Sequence, residues 1–165
     1  MDLGATLLEA LTALQNMALP SALRASRWVY PVVNAGHILG LALLFGAILP
    51  LDLRLLGFWR RMPIKPLARV LIPVAVSGLA ISVTTGLLLF SVGAAKYAAT
   101  PLFQVKLLLL LAAVVNALLL RRAADWTLAQ VPEMPVNTAR LQLAGGLSIA
   151  LWLAVILCGR FLAYI

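Results

Sequence analysis

The sequence predicts an all-α membrane protein, a transmembrane four-helix antiparallel bundle preceded by an N-terminal interfacial amphipathic helix. The 165-residue chain is 64% hydrophobic and only 11% charged, with a mean hydropathy of +1.06. Soluble domains are nearer about 45–50% apolar and 25% charged. Four apolar runs each reach the ~20 residues that a membrane-spanning helix needs, and the loops between them are short. We therefore expect a single integral membrane domain over residues 1–165.

The N-terminal segment, residues 1–20, has its apolar side chains at helical spacing, at Leu3, Leu7, Leu11, Leu14 and Met17. Acidic and polar residues lie elsewhere on the same turns. This pattern favours a helix that lies in the membrane interface rather than one that spans. Pro20 is expected to end it.

The four spans are predicted at about 28–51, 70–92, 101–120 and 141–163. No charged residue lies between Trp28 and Leu51, and Asp52 and Arg54 are expected to pair at the end of that first helix. Thr100 is expected to cap the third span because a proline follows it at the first helical position.

Small residues recur every four positions on the first two spans. Gly36 and Gly40 form a G-x-x-x-G pair, and Gly78, Ser82 and Gly86 continue the spacing on the second span. Such spacing allows helix backbones to approach closely in a membrane. We predict that these residues pack helices together.

The net charge of +8 resides mainly in the loops. Eight of the 13 Lys and Arg residues belong to the first and third loops between spans, and five belong to the opposite side. The positive-inside rule then places both termini outside the cytoplasm. The charge pattern favours anionic lipid as a partner and does not favour nucleic acid, because no aromatic residues are interleaved with the basic ones.

Polar residues of three predicted spans fall at one depth. With a rise of ~1.5 Å per residue, His37, Thr85 and Lys106 each lie ~9–13 Å from the same membrane face. Asn34 is one turn before His37, and Thr84 adjoins Thr85. Polar groups at this depth are costly and commonly mark functional sites. We predict that Asn34, His37, Lys106 and Thr84 or Thr85 line a ligand-binding pocket open to the outer side.

Structural roles remain open for the same residues. His37 would have a purely structural role if its ring hydrogen-bonded to Asn34 or to a backbone carbonyl of a neighbouring helix. Lys106 lies close enough to its helix end to extend toward the lipid headgroups. Thr84 and Thr85 commonly bond back to their own helix.

A haem b is the one cofactor that the sequence leaves open, with His37, the chain's single histidine, as an axial ligand. No methionine lies in a span, so the second ligand would come from a dimer mate's histidine or from Lys106. No other metal site is predicted, and Cys158 is the single cysteine. No nucleophile–base set or phosphate-binding loop is present, so no catalytic residue is assigned and an enzyme acting alone is not expected.

Several motifs together resemble a family of uncharacterised bacterial four-helix integral membrane proteins. They are H-x-L-G at 37–40, D-L-R-L-L-G at 52–57, T-G-L-L-L-F-S at 85–91, K-Y at 96–97 and P-L-F-Q-V-K at 101–106, with Asn116 beyond. The resemblance covers about 28–122. It implies a bacterial inner membrane and adds weight to His37 and Lys106, but it implies no substrate.

We therefore expect a small multi-pass protein whose intramembrane polar pocket binds a small ligand or supports a larger membrane complex, including a homodimer. The alternatives are a haem b-binding electron-transfer subunit and a purely structural membrane partner.

Overall fold

Every regular element that the structure describes is helical. The structure is a computed structural model, and it describes residues 3–123, 126 and 139–164. Its helices are α1 (Leu3–Gln15), α2 (Ala18–Ala25), α3 (Val29–Leu55), α4 (Ile64–Val92), α5 (Ala94–Ala99), α6 (Pro101–Arg122) and α7 (Ala139–Phe161), which a 3₁₀ turn (Leu162–Tyr164) extends. Four of them, α3, α4, α6 and α7, are long and apolar enough to cross a membrane. The predicted fold class is therefore confirmed.

The four long helices form a bundle from two packed pairs. Helix α3 packs along α4, α6 packs along α7, and α3 also contacts α7, which joins the pairs. Two small apolar clusters fill the interior, one around Leu55, Ile64 and Leu141 and the other around Leu44 and Trp152. Most other large apolar side chains face outward, as expected for a surface in contact with lipid.

Helices α3 and α4 approach each other closely at Gly40 and Gly78. A Cβ atom added to Gly78 would lie 2.5 Å from the backbone nitrogen of Leu44 and 2.7 Å from the carbonyl oxygen of Gly40. A Cβ added to Gly40 would lie 2.6 Å from Ser82 Oγ. The two backbones therefore touch where the small-residue pattern predicted helix packing.

The N-terminal segment is two helices rather than one. Helix α1 ends at Gln15, and Pro20 lies in the first turn of α2 instead of ending a helix. A proline costs little in a first turn because its missing N–H would have no partner there. Arg24 of α2 donates to the Gln15 carbonyl at 2.7 Å and so fastens the two helices together.

The end of α3 differs from the expected Asp52–Arg54 pair. The helix continues past Leu51 to Leu55. The Arg54 guanidinium donates to the carbonyl oxygens of Met62 at 2.6 Å and Arg60 at 3.0 Å, so it organises the turn into α4. Asp52 instead faces α7, where the Ser148 hydroxyl bonds to it. The expectation was wrong because residues two apart on a helix point in different directions.

Helix α6 starts where the sequence predicted, but Thr100 does not have the predicted capping role. The helix begins at Pro101, but the Thr100 side chain does not cap it. Thr100 Oγ1 donates to the Lys96 carbonyl at 2.8 Å, because the short helix α5 ends just before it.

Candidate functional site

A cavity of about 560 Å³ opens into one end of the bundle. We call it the first cavity. It is surrounded by the N-terminal half of α3, the C-terminal half of α4, helix α5, the start of α6 and the end of α7 with its 3₁₀ turn. Most of its wall is apolar. Its polar lining residues are Tyr30, Asn34, His37, Tyr97, Lys106 and Arg160.

His37 is held in one orientation by α4. Its Nδ1 lies 2.9 Å from the carbonyl oxygen of Ser82 and 3.2 Å from Thr85 Oγ1. The carbonyl can only accept, and the Thr85 hydroxyl already donates to the Ile81 carbonyl at 2.6 Å. The proton of a neutral His37 ring therefore sits on Nδ1, which leaves the Nε2 lone pair without a partner among the described residues.

Gly86 lets the His37 ring lie against α4. A Cβ added to Gly86 would be 3.1 Å from His37 Cε1, which is closer than side chains normally pack. The small residues on α4 thus serve two purposes. The absence of a side chain at Gly78 lets the backbone of α3 pack closely against α4, and its absence at Gly86 leaves room for the imidazole ring of His37.

Lys106 reaches inward from α6 and packs against α7. Its Nζ would lie 3.4 Å from a Cβ added to Gly159, so the ammonium group rests beside the backbone of α7. Its side chain is half-buried, and no carboxylate or other hydrogen-bond acceptor pairs with it among the described residues. An ammonium group in an apolar wall without a counter-charge is an expensive arrangement.

Three aromatic side chains that line the first cavity pack against one another. The rings of Phe90 and Phe103 stack with centroids 5.2 Å apart, and Tyr97 packs against Phe103 at 5.9 Å. Burial, together with the electrostatic effect of Tyr30 and a hydrogen bond to it, raises the pKa of Tyr97. Tyr97 therefore stays a neutral hydroxyl that faces the cavity.

The structure brings most of the predicted site residues together. Asn34, His37 and Lys106 all line the first cavity, whereas Thr85 does not line it and only contacts His37. Thr84 is exposed and does not line it. Their role in binding a ligand stays a prediction.

Sequence reasoning missed two groups at this site. They are Arg160 and Tyr97, neither of which the sequence assigned to the pocket. Arg160 lines the first cavity while its guanidinium lies 4.8 Å from the centre of the Tyr164 ring and donates to that residue's hydroxyl. Their positions next to the predicted membrane interface were the available signal, and α5 turns Tyr97 inward.

No family model, curated protein or solved structure matches the chain. The resemblance of its motifs to a bacterial family therefore stays a prediction.

Among the described lining residues of the first cavity, Nε2 of His37 is suited to bind a metal or haem iron. An Nδ1–H bonded to a backbone carbonyl orients the ring as in many metal-binding histidines. No group of three or more His, Cys, Asp or Glu side chains that could hold a bare metal ion occurs in the described part of the chain. A metal would thus need most of its ligands from elsewhere, as haem iron has from its porphyrin.

The electrostatic character of the first cavity is positive. Lys106 and Arg160 both line it, and no Asp or Glu is among its described lining residues. Chemically, the arrangement suits a ligand with an anionic end near Lys106 and an apolar body against Phe90 and Phe103.

Proposed function

We propose that this protein is a multi-pass protein of the bacterial inner membrane that binds a small amphiphilic anion in the first cavity. The observation that carries the proposal is the Lys106 ammonium group, half-buried in a largely apolar wall without a counter-charge among the described residues. A carboxylate or phosphate group on a ligand would neutralise it.

The other lining residues fit the same ligand. The unprotonated Nε2 of His37 would accept a hydrogen bond from a hydroxyl near the ligand's polar end. The stacked rings of Phe90 and Phe103 would contact its apolar part. The two cationic groups, Lys106 and Arg160, would favour anions over neutral molecules of the same shape.

The membrane and the orientation belong to the same proposal. The motif resemblance supports a bacterial inner membrane, and the excess of basic residues in the first and third loops supports both termini outside the cytoplasm. The first cavity would then open toward the outer side. A homodimer or a larger membrane complex would be compatible with this arrangement.

Binding of a pyrene-labelled fatty acid to the purified chain in mild detergent tests the function. We expect saturable binding, and Lys106→Met should weaken it ~10–100-fold because a charge-assisted hydrogen bond contributes about 1.5–3 kcal/mol. Lys65→Gln is the matched control, since Lys65 is exposed in the first turn of α4 at the other end of the bundle.

A pyrene-labelled alcohol of the same length controls for apolar partitioning into detergent. Equal affinity for acid and alcohol, or an unchanged affinity in Lys106→Met, would reject an anion site. If His37→Ala and Lys106→Ala also left assembly and phenotype unchanged while Gly78→Ala did not, the protein would be a purely structural partner.

A haem b-binding electron-transfer subunit is the second candidate. The specific observation in its favour is the free Nε2 of His37 on a cavity wall, with Nδ1 bonded to the Ser82 carbonyl. Lys106 or Arg160 would pair with a haem propionate. An absorbance spectrum of the same preparation decides it, since the absence of a Soret band after haem addition would remove this candidate.

A further inference from the structure

Asp52 is a carboxylate buried in the other half of the bundle. Its side chain is 4% exposed, and its Oδ2 atom has no hydrogen-bond partner. The Ser148 hydroxyl, itself 6% exposed, faces this carboxylate as a hydrogen-bond donor. Burying a carboxylate with an unsatisfied oxygen is energetically unfavourable unless a positive charge neutralises it.

A second cavity of about 180 Å³ adjoins Asp52. It lies between the C-terminal half of α3, the N-terminal half of α4, the C-terminal part of α6 and the middle of α7. Two further oxygen-bearing side chains line it, Ser148 and Asn116. Asn116 donates its amide nitrogen to the Ala144 carbonyl at 3.0 Å, which leaves its amide oxygen available.

A second unsatisfied atom lies on the same cavity. Trp152 lines it, and the buried Nε1–H of this residue also lacks a partner. An indole N–H binds an acceptor such as a water oxygen and never a cation. The cavity is large enough for water, so a cation held with water would satisfy both Asp52 and Trp152.

The charged groups around Asp52 leave its charge unpaired. Arg121 at the end of α6 is the one other charged residue among the described lining residues, and it is exposed. Arg54, on the same helix as Asp52, donates to the carbonyls of the turn that follows α3. Helices α4 and α7 contribute no charged side chain to the described lining.

We propose that the second cavity is a binding site for a monovalent cation, H⁺ or Na⁺, whose single positive charge neutralises the Asp52 carboxylate. For Na⁺, the carboxylate, the Ser148 hydroxyl and the Asn116 amide oxygen supply the protein ligands, and water supplies the rest. H⁺ would instead bond to a carboxylate oxygen of Asp52 and make it a neutral carboxylic acid. The site is independent of the first cavity, because the two occupy opposite halves of the bundle.

Thermal unfolding of the purified full chain, followed by tryptophan fluorescence, tests the proposal in two arms. One arm compares NaCl with choline chloride at equal ionic strength and alkaline pH. The other lowers the pH in choline chloride. A cation that binds only the folded state stabilises it. We therefore expect Tm to rise by ~5 °C in NaCl if the site binds Na⁺, or at lower pH if it binds H⁺.

Asp52→Asn should abolish this rise, since it keeps the shape and removes the charge. Glu9→Gln, which changes an exposed carboxyl on α1, should retain it. If Tm rises as the pH falls, the same rise must occur in a His37→Gln background. This control shows that the rise comes from protonation of Asp52 and not of His37. A wild-type Tm that responds in neither arm, or an Asp52→Asn variant that still responds, would overturn the proposal.

Ser148→Ala keeps the test decisive if Asp52→Asn fails to fold. It preserves the carboxylate and removes one ligand oxygen. In the NaCl arm we expect it to raise the Na⁺ concentration for the half-maximal Tm shift about tenfold. In the pH arm we expect the midpoint to move to higher pH, because the Ser148 hydroxyl donates to the ionised carboxylate. An unchanged midpoint in Ser148→Ala would contradict the site.

Discussion

Two buried serines show how one residue type can have opposite effects on stability. Ser82 on α4 and Ser148 on α7 are 5% and 6% exposed. The Ser82 hydroxyl has no partner, and its backbone carbonyl, not its side chain, holds His37. The Ser148 hydroxyl bonds to Asp52. The buried hydroxyl therefore destabilises the fold at Ser82 and stabilises it at Ser148.

Ser82→Ala should stabilise the protein by about 1 kcal/mol, since it removes a buried hydroxyl that makes no hydrogen bond. Ser148→Ala should destabilise it by about 1–3 kcal/mol because it leaves the Asp52 carboxylate without its partner. Denaturant unfolding in detergent measures both variants under the same conditions. Shifts of the same sign in the two variants would contradict this assignment of hydrogen bonds.

At the scale of helices, the contact between α3 and α4 depends on glycine at specific positions. Gly78→Ala should destabilise the protein by about 1–3 kcal/mol, because its methyl group would overlap the backbone of α3 at Leu44. Gly46→Ala is the matched control on α3. Nothing lies within 4 Å of its added Cβ, and helix propensity favours alanine by up to about 1 kcal/mol.

Denaturant unfolding of the two glycine variants gives the comparison directly. A large loss at Gly46 or no loss at Gly78 would show that the α3–α4 contact is looser than its backbone distances indicate. The His37 site supplies a second readout, since moving α4 away from α3 would displace the Ser82 carbonyl from His37 Nδ1.

The sequence predicted the spanning helices because their signal is local. About 20 apolar residues in a row must form a helix in lipid, and G-x-x-x-G spacing predicts which faces meet. Helix ends were predicted less well. Helix α3 extends through residues 52–55, and α4 begins at residue 64 rather than 70, although both stretches contain polar residues. Arg54 donates to the Met62 carbonyl and so stabilises the turn between these two helix ends.

The candidate site was predicted in part for the same reason. Depth along a helix follows from residue number, so His37 and Lys106 were expected in one layer. Rotation of a helix about its axis depends on its neighbours, and a uniformly apolar helix gives little indication of it. The exposed position of Thr84, the contribution of Arg160 and the burial of Asp52 all depend on such rotations.

At the scale of the whole molecule, the two cavities have opposite electrostatic character. The first cavity has Lys106 and Arg160 and no acidic residue among its described lining, whereas the second has the unpaired carboxylate of Asp52 at its centre. Polar sites at both ends of one bundle make orientation in the membrane a functional question, because it decides which compartment each cavity faces.

We expect the first cavity to face outward, because the two loops at the other end of the bundle contain most of the basic residues. In a Cys158→Ser background, Lys96→Cys should react with a membrane-impermeant maleimide in intact cells. Lys65→Cys should react only after the membrane is opened. Both positions are exposed, so accessibility within the protein does not limit either reaction. The reverse labelling pattern would place the cavity of His37 and Lys106 on the cytoplasmic side and Asp52 near the outer one.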